Sequence, residues 1–137
     1  MKSRFIVDTN VLVSAFLLKS ATNTLAFDKA MEEGEIITSE AINREFTGVF
    51  LRKKFDRYLP FPKRLALAEF LETQLLLWPS ELIKPLHASR DPKDNMLLEL
   101  AAAADASCII TGDKDLLTLD PFGKIRILSA ADFISLF

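Results

Sequence analysis

Three aspartates stand at the starts of segments of helical spacing, two of them, Asp8 and Asp113, following a short apolar run. Asp8 follows Phe5-Ile6-Val7, and Asp113 follows Cys108-Ile109-Ile110-Thr111-Gly112. Asp94 lies in Arg90-Asp91-Pro92-Lys93-Asp94-Asn95, where a long helical pattern begins. In an open parallel sheet the carboxyl ends of the strands share one edge, so residues just beyond them meet in one crevice however distant they are in sequence. Glu45 lies beside the apolar face Ile42, Phe46 and Val49 of another helical segment, and it can lean toward that same edge.

Asp is also a favoured helix N-cap, and Asp8, Asp91 and Asp113 all stand where a cap is wanted. Thr9 or Asn10 could cap the first helix, however, and Asp91 caps the later one without Asp94, so the repeated acids call for another cause. Carboxylates ~4 Å apart repel by about 4 kcal/mol at an effective dielectric of 20, which makes such a gathering costly unless a cation sits within it. With one His and one Cys in the chain, nitrogen and sulfur sites for zinc, copper or iron are excluded, leaving Mg²⁺ or Mn²⁺ held by carboxylate and water. Such an ion lowers the pKa of a bound water, holds a phosphate and stabilises a leaving oxygen; two ions ~3.5 to 4 Å apart divide those tasks. The chemistry indicated is phosphodiester hydrolysis.

The elements that must position these acids follow from periodicity. Short β-branched or aromatic runs at residues 4–7, 35–38, 107–111 and 124–128 read as strands buried on both faces. Residues 82–83 add a candidate edge strand. Apolar residues at three- and four-residue intervals predict helices over 11–18, 24–32, 40–51, 63–78 and 93–105. Ser39 can cap the helix beginning at Glu40, Pro60 and Pro62 separate two helices, and Asp91-Pro92 sets a capping acid before a first-turn proline. The alternation predicts a single α/β sandwich over residues 1–137, with helices on both faces of a parallel sheet.

A chain of 137 residues that is 50% hydrophobic can bury a sufficient core without disulfides or structural metal. Cys108, in the apolar run 106–110, reads as a small buried hydrophobe. No apolar stretch reaches the ~18 residues of a membrane span, and Asp8 follows the first apolar run too soon for a secretory signal, so a soluble cytoplasmic protein is expected. Net charge is −2, which leaves nucleic-acid binding to a local patch. The one local excess of base is Arg44, Arg52, Lys53, Lys54, Arg57, Lys63 and Arg64. Phe55 and Tyr58 lie among these residues and are candidate stacking partners for a base. Read the other way, such a run is an ordinary solvated face. His87 shows no partner for acid–base work and is assigned no role. Phe70, Leu71, Leu75 and Trp78 follow helical spacing, which assigns most of them to the core, while 11 Phe could leave a patch that favours a homodimer or a bound partner.

Taken together, residues 5–15, Ser39 with Glu45, Asp91-Pro92-Lys93-Asp94-Asn95 and residues 109–117 resemble the four acidic motifs of PIN-domain nucleases, in that family's order. In detail the chain is similar to the small prokaryotic PIN proteins that include the VapC-like toxins of toxin–antitoxin pairs. The resemblance implies a three-layer sandwich with a central parallel sheet of about five strands, a Mg²⁺ or Mn²⁺ site, endonucleolytic cleavage of single-stranded RNA, and an antitoxin as partner. By motif, the catalytic and metal-binding acids would be Asp8, Glu45, Asp94 and Asp113. Asn10, Thr111 and Ser39 would orient ligands and water, and Asp115 would be an extra acid near the metal; Asn10 and Thr111 could equally be turn and capping residues. Two other readings remain open at this level. One is a phosphatase or phosphotransfer domain with Asp8 as nucleophile, although Asn10 stands where haloacid-dehalogenase-like enzymes want a second Asp. The other is a catalytically silent RNA-binding or scaffolding module.

Overall fold

The computed structural model describes residues 2–86 and 91–137. Its centre is a sheet of strands β1 (Ser3–Val7), β2 (Gly34–Thr38), β3 (Leu76–Leu77), β4 (Cys108–Ile110) and β5 (Arg126–Leu128), all parallel, in the order β3-β2-β1-β4-β5. Helices α1 (Thr9–Phe16), α2 (Ala21–Glu33), α3 (Glu40–Phe50), α4 (Phe61–Gln74), α5 (Pro92–Ala104), α6 (Lys114–Leu117) and α7 (Ala130–Leu136) flank it.

Side chains alternate across each strand, so the two faces of the sheet collect two separate cores. Phe5, Val7, Ile36, Cys108, Ile110 and Leu128 face α1, α2, α3, α4 and α7 on one side. Ile6, Ile37, Ile109 and Ile127 face α5 and α6 on the other, with Ile42 of α3. This is the three-layer parallel sandwich that the sequence predicts. At Gly34 the first strand runs so close that any Cβ would overlap the Ser3 carbonyl oxygen, so the β1–β2 pairing requires glycine there. Cys108 is buried in β4, and burial pushes its thiol up to about 12, consistent with a small inert hydrophobe. Among the described residues no helix is long and apolar enough to cross a membrane.

Several elements differ from the sequence expectation. The edge strand is Leu76–Leu77, and Ser80–Leu82 forms a 3-10 turn where residues 82–83 suggested a strand. The expected helix over 63–78 ends at Gln74, because Leu75 turns extended and the Trp78 amide donates to the Thr38 carbonyl of β2. An unbroken apolar run such as 75–78 satisfies either period, and a vacant sheet edge decides between them. Leu71 and Leu75 are buried as expected, whereas Phe70 is exposed. Helix α6 begins where Asp113 stands as a cap but runs only four residues, and α7 has no counterpart among the helices that periodicity predicts; Ser129 caps α7, whose Phe133 and following Phe137 pack edge-on against Phe5. Helix α1 begins earlier than Val11 because Asp8 itself, and not Thr9 or Asn10, is its cap. Of the phenylalanines, only Phe61, Phe70 and Phe137 are exposed. Phe61 and Phe70, nine residues apart on α4, lie on opposite sides of that helix and form no single patch.

Candidate active site

The order of strands reverses between β1 and β4, where one chain half winds outward from β1 through β2 and the other from β4 to β5. Such a switch point leaves a crevice at the carboxyl edge of the sheet. Asp8 ends β1 there, with its amide bonded to the Ile110 carbonyl, and Asp113 follows β4. Asp8, Glu45, Asp94 and Asp113 all line one open cavity of about 440 Å³ at this point, together with Asn10, Asp91 and Lys93. The carboxylates of Asp91, Asp94 and Asp113 offer oxygens within 4.8 Å of one another.

Local structure explains how each acid is held. Asp8 accepts the Thr9 amide on Oδ1 at 2.7 Å and the Thr111 hydroxyl on Oδ2 at 2.7 Å. The Thr111 Oγ1 in turn accepts the Asp113 amide at 3.0 Å, so one fully buried threonine ties the acid after β1 to the acid after β4. Asp113 caps α6 by accepting the Asp115 amide, and Asp91 caps α5 by accepting the Lys93 amide, both at 2.9 Å. Helix α5 then sets Asp94 in its first turn, three residues from Asp91 and on the same side. Glu45 of α3 accepts the Thr9 hydroxyl at 2.6 Å and lies 3.7 Å from the Lys93 ammonium.

The electrostatics carry the mark of a crowded anionic site. Asp94 is only 4% exposed, and burial followed by the charges of Asp113 and Asp91 pushes its carboxyl up to about 6. Burial also raises Asp8, against the hydrogen bonds from Thr111 and Thr9, and the charges of Glu45 and Asp113 add to that rise. Two acids that resist ionisation beside three more carboxylates would be stabilised by a cation. The donor set is oxygen only, and among the described residues no His or Cys lines the cavity. It therefore fits Mg²⁺ or Mn²⁺, with Asp91, Asp94 and Asp113 as the nearest-spaced ligands and Asp8 and Glu45 alongside.

Capping and acid clustering turn out to be the same residues in two roles: Asp8, Asp91 and Asp113 cap helices and also present their carboxylates to the cavity. Asp91 was read from sequence only as a cap; its spacing of three from Asp94 at a helix start was the available signal. Thr9 and Lys93, the two partners of Glu45, carried no sequence signal, since both contacts cross between elements. Among the supporting residues, Thr111 lies between Asp8 and Asp113, and Asn10 lines the cavity and accepts the Gly112 amide at 3.5 Å. Ser39 caps α3 and lines a different cavity, beside Ile83 and Met96. Asp115 is exposed and gives its amide, not its carboxylate, to Asp113.

The basic stretch divides. Arg52 and Lys54 line the cavity, while Arg44, Lys53, Arg57 and Lys63 are exposed elsewhere. Arg64 does not belong to the surface group: it is fully buried and donates to the carbonyls of Phe50, Arg52 and Leu59 and to Asp56. Phe55 is a core residue that forms part of the cavity wall, and Tyr58 is exposed under the Arg57 guanidinium. His87 and Arg90 lie outside the described residues.

No match was found among curated proteins. In fold, the chain is similar to a chain of VapBC2 from Rickettsia felis, solved bound to a DNA fragment from their promoter. The two share 14% identity over 92% of this chain and 97% of that one, at a TM-score of 0.58. It is also similar to a chain of VapBC-1 from nontypeable Haemophilus influenzae, at 12% identity over 93% and 98% of the two chains and a TM-score of 0.61. A PIN domain family profile matches residues 4–115, a span that runs from β1 through the acid after β4 and takes in every carboxylate of the cavity. On that match, the chain belongs to the PIN-domain family.

Proposed function

We propose that this protein is a Mg²⁺- or Mn²⁺-dependent endoribonuclease that cuts single-stranded RNA. In this reading residues 1–137 are a single cytoplasmic domain and the toxin half of a toxin–antitoxin pair, working as a homodimer. The observation that carries the reading is the convergence of Asp8, Glu45, Asp91, Asp94 and Asp113 on one cavity at the switch point of a PIN-domain sheet. Two structures of similar fold are VapBC complexes, which supports an antitoxin as partner.

A divalent ion bound there would supply an acidic water and neutralise charge on the phosphate. The chain's own residues do the rest. Asp91, Asp94 and Asp113 would hold the ion, with Asp8 fixed beside them by Thr111 and Thr9. Glu45, steadied by Thr9, can accept a proton from water at the cavity's edge. A nucleophilic Asp8, as a phosphotransfer enzyme would need, is disfavoured by the PIN-domain family match and by Asn10 standing where such enzymes want a second Asp.

The decisive experiment incubates the purified full chain with single-stranded RNA in Mn²⁺ or Mg²⁺, in EDTA, and in EDTA followed by excess Mn²⁺. Internal cleavage in the first and third conditions alone is expected. Cleavage that persists in EDTA removes the metal mechanism, and no cleavage with either ion favours the silent RNA-binding module.

A second expectation concerns Thr111→Val. The variant keeps the shape of a buried side chain but takes away the hydroxyl that joins Asp8 to the Asp113 amide. Changes to residues that orient ligands typically cost 10–100-fold, so Mn²⁺ affinity by titration calorimetry should fall by roughly that factor. An unchanged affinity would make Thr111 a packing residue only.

A further inference from the structure

The acids occupy only one end of the cavity. From there it continues as a groove walled by α1 and α3. Asn10, Val13, Ser14 and Leu18 recur at helical spacing along one face of α1 and just past its end, a span of about 12 Å. Glu45, Val49 and Arg52 do the same along α3. The groove is thus acidic at the sheet edge, apolar in its middle at Val13, Val49 and Leu18, and basic at its far end, where Arg52 and Lys54 are exposed.

We propose that the apolar middle of this groove is a subsite for one unstacked nucleobase of the RNA, with Arg52 and Lys54 on the phosphate beyond it. This rests on the nuclease reading above and specifies how that site takes its substrate. A base has an apolar face and a polar edge. Aliphatic walls match the first, and the Ser14 hydroxyl and Asn10 carboxamide that share the lining supply hydrogen-bonding groups for the second. The charge pattern selects a polyanion: a phosphodiester beside the acids needs the cations at the other end to offset repulsion from the carboxylates. The whole cavity, acids included, is about 440 Å³, the size of a small-molecule site, so its apolar part takes a single base. A base stacked in a duplex has both faces covered by its neighbours and cannot lay one against the aliphatic wall, whereas an unstacked base can. Preference for a single strand follows from the groove itself.

The test is fluorescence anisotropy on the full chain in EDTA with three labelled RNAs of equal length: a single strand, the same strand with abasic positions, and a duplex. The single strand should bind roughly tenfold tighter than either of the others, in line with the effect of one base contact. Leu18→Ser, at an exposed position outside the helix, and the double variant Leu18→Ser/Val49→Ser should erase that advantage while leaving abasic and duplex binding as they were. Arg52→Ala should weaken all three and reduce the salt dependence by about one phosphate contact. Equal binding of the abasic strand overturns the proposal, as do serine variants that bind the single strand like wild type, or no binding of any RNA; the second of these would leave the groove to a polypeptide. A parallel cleavage assay in Mn²⁺ separates the two readings. Cleavage without base dependence defeats the subsite alone, and base dependence without cleavage defeats the nuclease alone.

Discussion

Asp94→Asn is expected to raise the melting temperature of the metal-free protein at pH 7.5 while eliminating both RNA cleavage and the stabilising response to Mn²⁺. Asp94 is buried among like charges and its carboxyl is pushed from 3.8 up to about 6, so holding it ionised at pH 7.5 opposes folding by about 3 kcal/mol. The amide is neutral at every pH and can donate to Asp113 as the protonated acid would. For a chain of this length that relief corresponds to roughly 5–10 °C. Saturating Mn²⁺, at a hundred times its dissociation constant, should add about 2.7 kcal/mol to the wild type and far less to the variant. Loss of cleavage should exceed the ~100-fold cost of altering an orienting residue. A variant that melts lower than wild type without metal would mark Asp94 as a structural partner, and equal Mn²⁺ shifts would remove it from the ligand set.

The same shift sets a pH dependence with a definite sign. Between 3.8 and about 6 the folded protein binds the Asp94 proton more tightly than the unfolded chain does, so stability falls as pH rises through that window. Above about 6 the penalty is complete. Without metal, the wild type should therefore melt roughly 3–5 °C higher at pH 5 than at pH 7.5, reflecting about 1.4 kcal/mol, and Asp94→Asn should lose most of that difference. Differential scanning calorimetry in EDTA reads both directly.

Much of this site could be read from the chain because its acids follow a rule of parallel sheets: each stands one step past a strand or at a helix start, and topology does the gathering. Asp8, Asp94 and Asp113 were legible for that reason, and Glu45 only through the face of its helix. What the chain concealed was of two kinds. Asp91 was hidden by having an adequate local explanation, since a capping aspartate gives no sign that its other oxygen serves elsewhere. Thr9 and Lys93 act through contacts between elements, where sequence spacing has no meaning, while Thr111 was legible only through the motif it shares with Asp113. The fold shows the same division. Alternation placed four strands correctly to within two residues at each end, but residues 75–78 are apolar at every position, and only the open edge of β2 makes Leu76–Leu77 a strand.

Arg64→Met should cost about 3–5 kcal/mol of stability, the larger of the two stability effects expected here, although a run of basic residues on the sequence placed Arg64 with the RNA-facing side chains. Its guanidinium is fully buried and reaches three carbonyls, at Phe50, Arg52 and Leu59, as well as the Asp56 carboxylate. The Phe50 carbonyl belongs to the last turn of α3, whose final carbonyls have no partner within the helix, so Arg64 closes that end from α4. Methionine fills similar volume but offers no donor, leaving the carbonyls of Phe50, Arg52 and Leu59 without theirs, and this loss sets the cost; Asp56 is half exposed, stays solvated and adds little. Because α3 carries Glu45 and the Arg52 end of the groove, the variant should bind RNA less well only in proportion to its unfolded fraction. Urea denaturation alongside anisotropy under conditions where the variant is fully folded tests both statements. A variant as stable as wild type but deficient in RNA binding would return Arg64 to the surface group and undo the assignment of α4 as the clamp on α3.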